Sequence, residues 1–198
     1  RTTGYELLMR MKDPETGSVR SPAEFIAAAQ RYQLLPAVDR YIVEAALDVL
    51  GRHRTLLTQA DVTVSINVSG QSIGDPEFVD FLIQRLRHSR IAPGNIIIEI
   101  TEQAAVVNLA RATETLRKLR EAGCGIAIDD FGTGANSLAY LRSMPVTRIK
   151  IDGSFVKDIL RNPRSENAVR GIVQLARDFN LDCVAEYVES QEILDRIR

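Results

Sequence analysis

Short runs rich in β-branched residues alternate, from Val62 onward, with longer segments whose apolar residues recur at the spacing of one helix face. Such alternation is typical of repeated βα units that build a parallel sheet. The strands that this pattern predicts are Val62–Val68, Asn95–Thr101, Cys124–Asp129, Arg148–Asp152 and Asp182–Glu186.

The predicted helices between these strands carry recognisable end signals. Asp75 followed by Pro76 supplies an N-cap and a proline at the first helical position. The apolar stripe that runs from Leu109 to Leu119 stops shortly before Gly123, which suits the residue after a helix end.

The N-terminal part differs, because one predicted strand, Tyr5–Met11, precedes two successive helices. The first begins at Ser21-Pro22 and the second spans about Pro36–Leu50. Strands joined through single helices favour a (β/α) barrel, with a doubly wound open sheet as the main alternative. A TIM barrel has about 250 residues, so this chain of 198 residues is expected to lack elements at its ends.

Composition and charge indicate one soluble globular domain over residues 1–198. The chain is 45% hydrophobic and its formal net charge is -1, so no global positive field would attract DNA, RNA or anionic lipid. No apolar run approaches the ~20 residues that span a bilayer. Cys124 and Cys183 lie in short apolar runs and are expected to be buried and reduced, which favours a cytoplasmic location. The absence of an initiating Met suggests a fragment of a longer protein.

Polar residues follow the predicted strands where each strand ends, and the carboxyl ends of parallel strands share one edge of the sheet. On the first strand, Glu6, Leu8 and Arg10 are predicted to share one face, and Lys150 shares a face with Asp152. The expected oxygen donors at this rim are Glu6, Asn67, Glu99, Asp129, Asp130, Asp152 and Glu186.

Several carboxylates in one partly enclosed site stay ionised readily only if cations neutralise them. Ligation by oxygen alone favours Mg²⁺ or Mn²⁺ over zinc, and this many carboxylates could hold two ions. Paired ions of this kind suit phosphodiester hydrolysis.

Structural interpretations of the same residues stay open at this point. Asp130 could equally cap the turn that follows it. Glu6 and Arg10 could form a surface ion pair, and Lys150 and Asp152 could pair only with each other.

Six short motifs follow one another along the chain. The first is Glu6-Leu7-Leu8-Met9-Arg10, and the later ones are Ser65-Ile66-Asn67-Val68-Ser69, Glu99-Ile100-Thr101-Glu102, Asp129-Asp130-Phe131-Gly132-Thr133-Gly134, Lys150-Ile151-Asp152 and Glu186-Tyr187-Val188-Glu189. In this order they resemble the motifs of EAL domains, the cyclic-di-GMP phosphodiesterase family. The first motif is similar to the Glu-Xaa-Leu-Xaa-Arg signature of the family, with Leu7 in place of the naming alanine.

The resemblance implies a modified TIM barrel and the opening of cyclic-di-GMP to linear pGpG with two Mg²⁺ or Mn²⁺ ions. It places Glu6, Asn67, Glu99 and Asp129 on one metal, and Asp129, Asp130 and Asp152 at or near the second. Lys150 would position water or phosphate, Glu186 would act as base or second-site ligand, and Glu102 would brace the loop from Asp130 to Ser137. Leu8, Arg10 and Tyr187 would contact substrate.

The resemblance also implies partners, and the sequence departs from the family's pattern in two ways. The resemblance predicts a homodimer, flanking sensory or GGDEF domains in the parent protein, and no membrane contact by the domain itself. The chain starts after the family's Gln-Pro-Ile strand and stops before its Gln-Gly-Tyr strand, so the barrel is expected to lack its first and last strands.

Tyr187 replaces a usual glycine, which leaves a non-catalytic cyclic-di-GMP sensor as the alternative function. A protein-interaction scaffold without ligand binding is a third, and another metal-dependent barrel acting on a phosphorylated small molecule is a fourth.

Overall fold

Six strands pair in parallel to form one curled sheet in the computed structural model, which describes residues 3–107, 109–134 and 140–198. A separate antiparallel hairpin follows the first strand. The strands are β1 Gly4–Leu7, β2 Met11–Lys12, β3 Val19–Arg20, β4 Thr63–Asn67, β5 Ile96–Thr101, β6 Gly125–Phe131, β7 Arg148–Ile151 and β8 Asp182–Ala185.

The helices lie mostly between successive sheet strands, as a βα pattern requires. A short 3₁₀ turn at Pro93–Asn95 leads into β5. The α-helices are α1 Pro22–Arg31, α2 Leu35–Arg52, α3 Arg54–Ala60, α4 Gly70–Ile73, α5 Pro76–Ser89, α6 Glu102–Val107, α7 Leu109–Glu121, α8 Gly153–Lys157, α9 Pro163–Asp178 and α10 Gln191–Ile197.

The strand order β1-β4-β5-β6-β7-β8 decides between the two predicted architectures. Each crossover advances by one strand in the same direction, and crossovers of one hand then place their helices on one face of the sheet. A doubly wound sheet would reverse its order at a switch point. The sheet therefore forms a half-barrel of the TIM type, and the doubly wound alternative is wrong.

Alternation along the strands separates an apolar face from a polar one. The helix-facing positions of β4 to β7 are fully buried branched residues, whereas the opposite face carries Glu6, Ser65, Asn67, Glu99 and Lys150. The apolar set is Val64, Ile66, Ile96, Ile98, Ile100, Ile126, Ile128, Ile149 and Ile151. Packing against the helices thus stabilises the sheet without using the positions that carry chemistry.

Most predicted boundaries are confirmed within a residue or two. The N-cap of α5 is Asp75, whose side chain accepts a hydrogen bond from the amide of Glu77, and α7 ends before Gly123, which has φ of 96°. The short helix α3 was not predicted from the sequence.

The prediction of a strand over Tyr5–Met11 is wrong beyond Leu7. Parallel pairing of β1 with β4 stops at Leu7, and Met11–Lys12 turns away to pair with Val19–Arg20. Asp13 stabilises that hairpin, because its carboxylate accepts hydrogen bonds from the amides of Glu15 and Thr16. Leu8 and Arg10 therefore lie in a connection and do not share a strand face with Glu6.

The two cysteines differ in burial, although both are free. Cys124 is buried as predicted, but Cys183 is exposed. The prediction for Cys183 is wrong because β8 is an edge strand of the described sheet, where the burial that a central strand receives is missing. Among the helices of the described residues, none is long and apolar enough to cross a membrane.

We expect Ile98→Ala to lower the free energy of unfolding by about 2–5 kcal/mol, because it leaves a cavity beneath the helices. Ile98 is fully buried in β5, whereas Val49 is 49% exposed on α2. Urea denaturation of Ile98→Ala beside Val49→Ala measures the difference. Equal losses in the two variants would contradict the assignment of this sheet face to the core.

Candidate metal centre

Strand register brings the polar residues of neighbouring strands to one end of the sheet. Glu6 on β1 stands opposite Ser65 on β4, and Asn67 at the end of β4 stands opposite Glu99 on β5. Thr101 on β5 stands opposite Asp129 on β6. The prediction that these segments converge on one rim is confirmed.

The Lys150 ammonium group lies at the centre of this rim. Its Nζ atom is 2.9 Å from Glu99 Oε2, 3.0 Å from Asp129 Oδ1, 3.0 Å from Glu186 Oε1 and 3.1 Å from Glu6 Oε2. The Lys150 side chain is only 7% exposed. Because an ammonium group has three protons, four carboxylates must share its donors.

Hydrogen bonds between neighbouring strands orient two of these carboxylates. Asn67 Nδ2 donates to Glu6 Oε1 at 2.8 Å. Ser65 hydrogen bonds to Glu99, which is 2% exposed. Ser65 was missed by the sequence reasoning, although its position two residues before Asn67 on the same strand face could have indicated it.

A bulge in β6 changes the direction of the two adjacent aspartates. The register between β6 and β7 shifts between Ile128 and Phe131, and Asp130 has φ of 54°. In a regular strand, Asp129 and Asp130 would point to opposite faces, and a bulge allows both to reach the same site. Asp130 lies with Asp129 and Glu186 at the rim, so its carboxylate is placed for more than capping a turn.

Two groups of acids are close enough to hold a cation. Glu6, Glu99 and Asp129 form the first group, and Asp129, Asp130 and Glu186 form the second; within each group the ligand atoms lie within 4.8 Å of one another. Asp129 belongs to both groups. Its Oδ1 atom is buried and makes no hydrogen bond of good geometry, although Lys150 lies 3.0 Å away. These oxygen donors fit a hard divalent cation.

Burial and mutual repulsion alter the proton affinities of the second group. Burial raises the pKa of Glu186 to about 7 in spite of its hydrogen bond to Lys150. Burial, followed by the charges of Asp129 and Asp152, raises the pKa of Asp130. A divalent cation would reverse this cost, because it favours the ionised carboxylates.

The first group and the lysine respond differently to burial. Burial also raises the pKa of Glu99. Burial alone would lower the pKa of the Lys150 ammonium, but the charges of Glu99 and Asp129 outweigh it and raise that pKa. Lys150 is therefore held as a cation.

Asp152 also caps a helix at the edge of the rim. Its carboxylate accepts hydrogen bonds from the amide and the hydroxyl of Ser154 and so caps α8. It also lies close enough to Asp130 to hydrogen bond with it. The alternative that Lys150 and Asp152 pair only with each other is wrong, because Lys150 pairs with four other carboxylates.

Glu102 contacts the loop that follows the bulge. Its Oε2 atom accepts hydrogen bonds from the amides of Gly132 at 2.9 Å and Gly134 at 3.0 Å, and Tyr140 donates its hydroxyl to Oε1 at 2.7 Å. Residues 135–139 of the predicted loop lie outside the described residues. Glu102 is 1% exposed, so these contacts fix the first part of the loop next to Asp130.

The three predicted substrate contacts, Leu8, Arg10 and Tyr187, are not members of the two acid groups. Leu8 is 61% exposed and lines a cavity of about 820 Å³ that also reaches Asn67 and Glu99. Arg10 donates from Nη1 to the carbonyl oxygen of Met9 at 2.8 Å. No ion pair between Arg10 and Glu6 occurs in the described part of the chain, so the surface-pair alternative is wrong. Tyr187 follows Glu186 and has φ of 51°.

We expect Lys150→Met to lower the free energy of unfolding of the metal-free protein by about 3 kcal/mol, because it leaves buried carboxylates without a counter-charge. Mg²⁺ should then raise the Tm of this variant more than that of the unaltered protein. Lys118→Met is the matched control, since Lys118 is 46% exposed. Thermal unfolding in chelator and in Mg²⁺ measures both effects, and identical behaviour of the two variants would contradict the counter-charge role.

Glu186 should make the metal-free protein less stable as pH rises. Its pKa is about 7 in the folded protein against the ordinary 4.5, so the folded state holds a proton that the unfolded state has released. The contribution of Glu186 to the free energy of unfolding is then fully present below pH 4.5 and is lost as pH rises to about 7. Unfolding in chelator should show that the free energy of unfolding falls less across this pH range in Glu186→Gln than in Glu189→Gln. Glu189→Gln is the control, because it removes an exposed charge. Parallel pH profiles would rule this out.

Two curated proteins that are similar to this chain are named cyclic di-GMP phosphodiesterases. The Shewanella oneidensis cyclic di-GMP phosphodiesterase PdeB is 39% identical over 98% of this chain, and E. coli cyclic di-GMP phosphodiesterase PdeF is 36% identical over 98%. The chain covers 22% and 25% of their lengths.

Two solved structures, an EAL enzyme and a phosphodiesterase, have a fold similar to that of this chain. The EAL enzyme Bd1971, in its cAMP- and cyclic-di-GMP-bound form, superposes with a TM-score of 0.90 at 33% identity, covering 98% of this chain and 53% of that one. The PaMucR phosphodiesterase, in complex with c-di-GMP, gives 0.88 at 30% identity, covering 97% and 77%. The EAL domain model matches residues 1–198, and the chain belongs to the EAL domain family.

Proposed function

We propose that this chain hydrolyses cyclic-di-GMP to linear pGpG with Mg²⁺ or Mn²⁺. The observation that carries the proposal is the meeting of two acid groups at one rim, joined through Asp129 and bridged by Lys150. Two relatives of this chain are named cyclic di-GMP phosphodiesterases, and both align over nearly its whole length.

Two cations are proposed, one for each acid group. Glu6, Asn67, Glu99 and Asp129 would hold the first, with the Asn67 amide oxygen as the neutral donor. Asp129 and Asp130 would hold the second, together with Glu186 or the remaining oxygen of Asp152. Bound there, such cations lower the pKa of a coordinated water and stabilise charge on phosphoryl oxygens.

The protein's own groups would divide the remaining work. Glu186, which lies beside Asp129 and Asp130, would accept a proton at its carboxylate. Lys150, which is held as a cation, would orient an attacking water or a phosphoryl oxygen once cations take over part of its carboxylate contacts. Glu102 would keep Asp130 in place through the amides of Gly132 and Gly134.

Substrate contacts are proposed beside the acids. Leu8 would pack against a base in the cavity next to Asn67. Arg10 would contact a phosphate or a guanine edge, because its guanidinium presents several donors in one plane. Tyr187 would contact the substrate near Glu186.

The wider setting is also a proposal. We propose a cytoplasmic domain of a longer signalling protein with sensory or GGDEF domains, acting as a homodimer without membrane contact. The first two relatives are about four times as long as the aligned segment, which supports further domains. The homodimer follows from the family resemblance alone.

The test is to incubate the purified protein with cyclic-di-GMP and Mg²⁺ or Mn²⁺ and to follow pGpG by chromatography. We expect a chelator to abolish product, and Glu6→Ala to lower kcat/KM by about 100-fold, because loss of even an outer-shell partner of a metal ligand typically costs about 10- to 100-fold. Glu15→Ala, on the exposed hairpin, is the control. Tight binding without turnover would instead indicate a sensor, and equal rates for the two variants would refute the assigned centre.

A further inference from the structure

Two rim loops meet through the ring of Tyr187. Tyr187 follows Glu186 in the connection after β8, and Gly153 follows Asp152 in the connection after β7. A methyl group at Gly153 would lie 2.1 Å from Tyr187 Cδ2 and 2.8 Å from Cε2. The ring therefore occupies space that only a glycine at this position leaves open.

The backbone of Tyr187 adopts a conformation that bulky residues avoid. Its φ of 51° lies in the left-handed region, which is unfavourable for an L-residue. Strain of this kind persists where surrounding contacts maintain it, and it occurs often at functional sites.

Lys157 supplies one of those contacts. This exposed residue at the end of α8 places its Nζ atom 3.5 Å from the centroid of the Tyr187 ring. The negative face of an aromatic ring attracts such a cation. The ring is thus fixed beside Gly153 and Lys157, yet 54% of the Tyr187 surface remains exposed.

The chemistry of this arrangement fits part of a nucleotide. An exposed aromatic face stacks on a nucleobase, and an ammonium group beside it attracts a phosphate. Tyr187 directly follows Glu186 of the second acid group, and Lys157 ends the short helix α8 that begins after Asp152. Lys157 covers one face of the ring, so a base would stack on the opposite face.

We propose that Tyr187 and Lys157 bind a base and a phosphate of the dinucleotide at the rim, and that Gly153 is required to seat the tyrosine ring. This inference rests on the proposed function for the identity of the substrate. It assigns Tyr187 a defined partner and adds Lys157 and Gly153 as specificity-determining positions.

Steady-state kinetics with cyclic-di-GMP tests the pair. Lys157→Gln and Tyr187→Ala should each raise KM about tenfold, equivalent to ~1.4 kcal/mol, and should change kcat by less than about twofold because neither group touches the reacting phosphate. Lys118→Gln and Tyr41→Ala are matched controls, since both residues are exposed and lie on helices away from the rim. Unchanged KM in both rim variants, or a fall in kcat at constant KM, would overturn the proposal.

A third variant tests the geometry itself. Gly153→Ala should displace the ring and raise KM as much as Tyr187→Ala, whereas adding Gly153→Ala to Tyr187→Ala should raise it no further. Additive effects would refute the seating of the ring by Gly153.

Calorimetric titration with cyclic-di-GMP in Mg²⁺ separates this proposal from the hydrolytic one. If the protein produces no pGpG, the proposed function fails. The pair is still supported if Kd rises about tenfold, or ~1.4 kcal/mol, in Lys157→Gln, and it is refuted if Kd matches that of Lys118→Gln.

Discussion

The buried ammonium of Lys150 is the interaction on which the rim depends. Carboxylates from four different strand ends approach to within about 3 Å of it, and without a cation such groups would repel one another or take up protons. One lysine cannot neutralise all of them, so the site keeps an excess of negative charge. That excess is the physical reason the rim suits divalent cations, and it adds to the effect of burial, which raises the pKa of Glu186 and Asp130.

The two faces of the sheet carry different kinds of residue. Buried branched side chains such as Ile98 and Ile128 pack against the helices, while the positions between them point to the rim and carry polar groups. A half-barrel with its helices on one face makes this division possible, because every strand presents one alternate set of residues to the same concave space. Loss of a core methyl group therefore leaves a cavity, whereas loss of the Lys150 charge leaves buried carboxylates without a counter-charge.

Two of the six non-glycine residues with positive φ in the described part of the chain lie at the rim. Asp130 and Tyr187 both have φ above +50°, and each adjoins an acid of the second group. Contacts from outside each loop maintain the strain: Glu102 binds the amides after Asp130, and Lys157 and Gly153 hold the tyrosine ring. The rim is thereby formed before any ligand arrives, which lowers the cost of ordering it on binding.

The sequence by itself determined the five strands that follow Val62, the polar residues at or near their ends and the meeting of these residues at one edge. Alternation of apolar and polar positions and the ordered motifs are local properties, and parallel βα topology turns them into a shared rim. Tertiary structure alone decided the strand order, the end of β1 at Leu7 and the exposure of Cys183, because strand pairing and edge position depend on partners distant in the chain. It also decided that a bulge turns Asp130 toward Asp129, since a bulge arises from register with the neighbouring strand and leaves no reliable mark in the residues themselves.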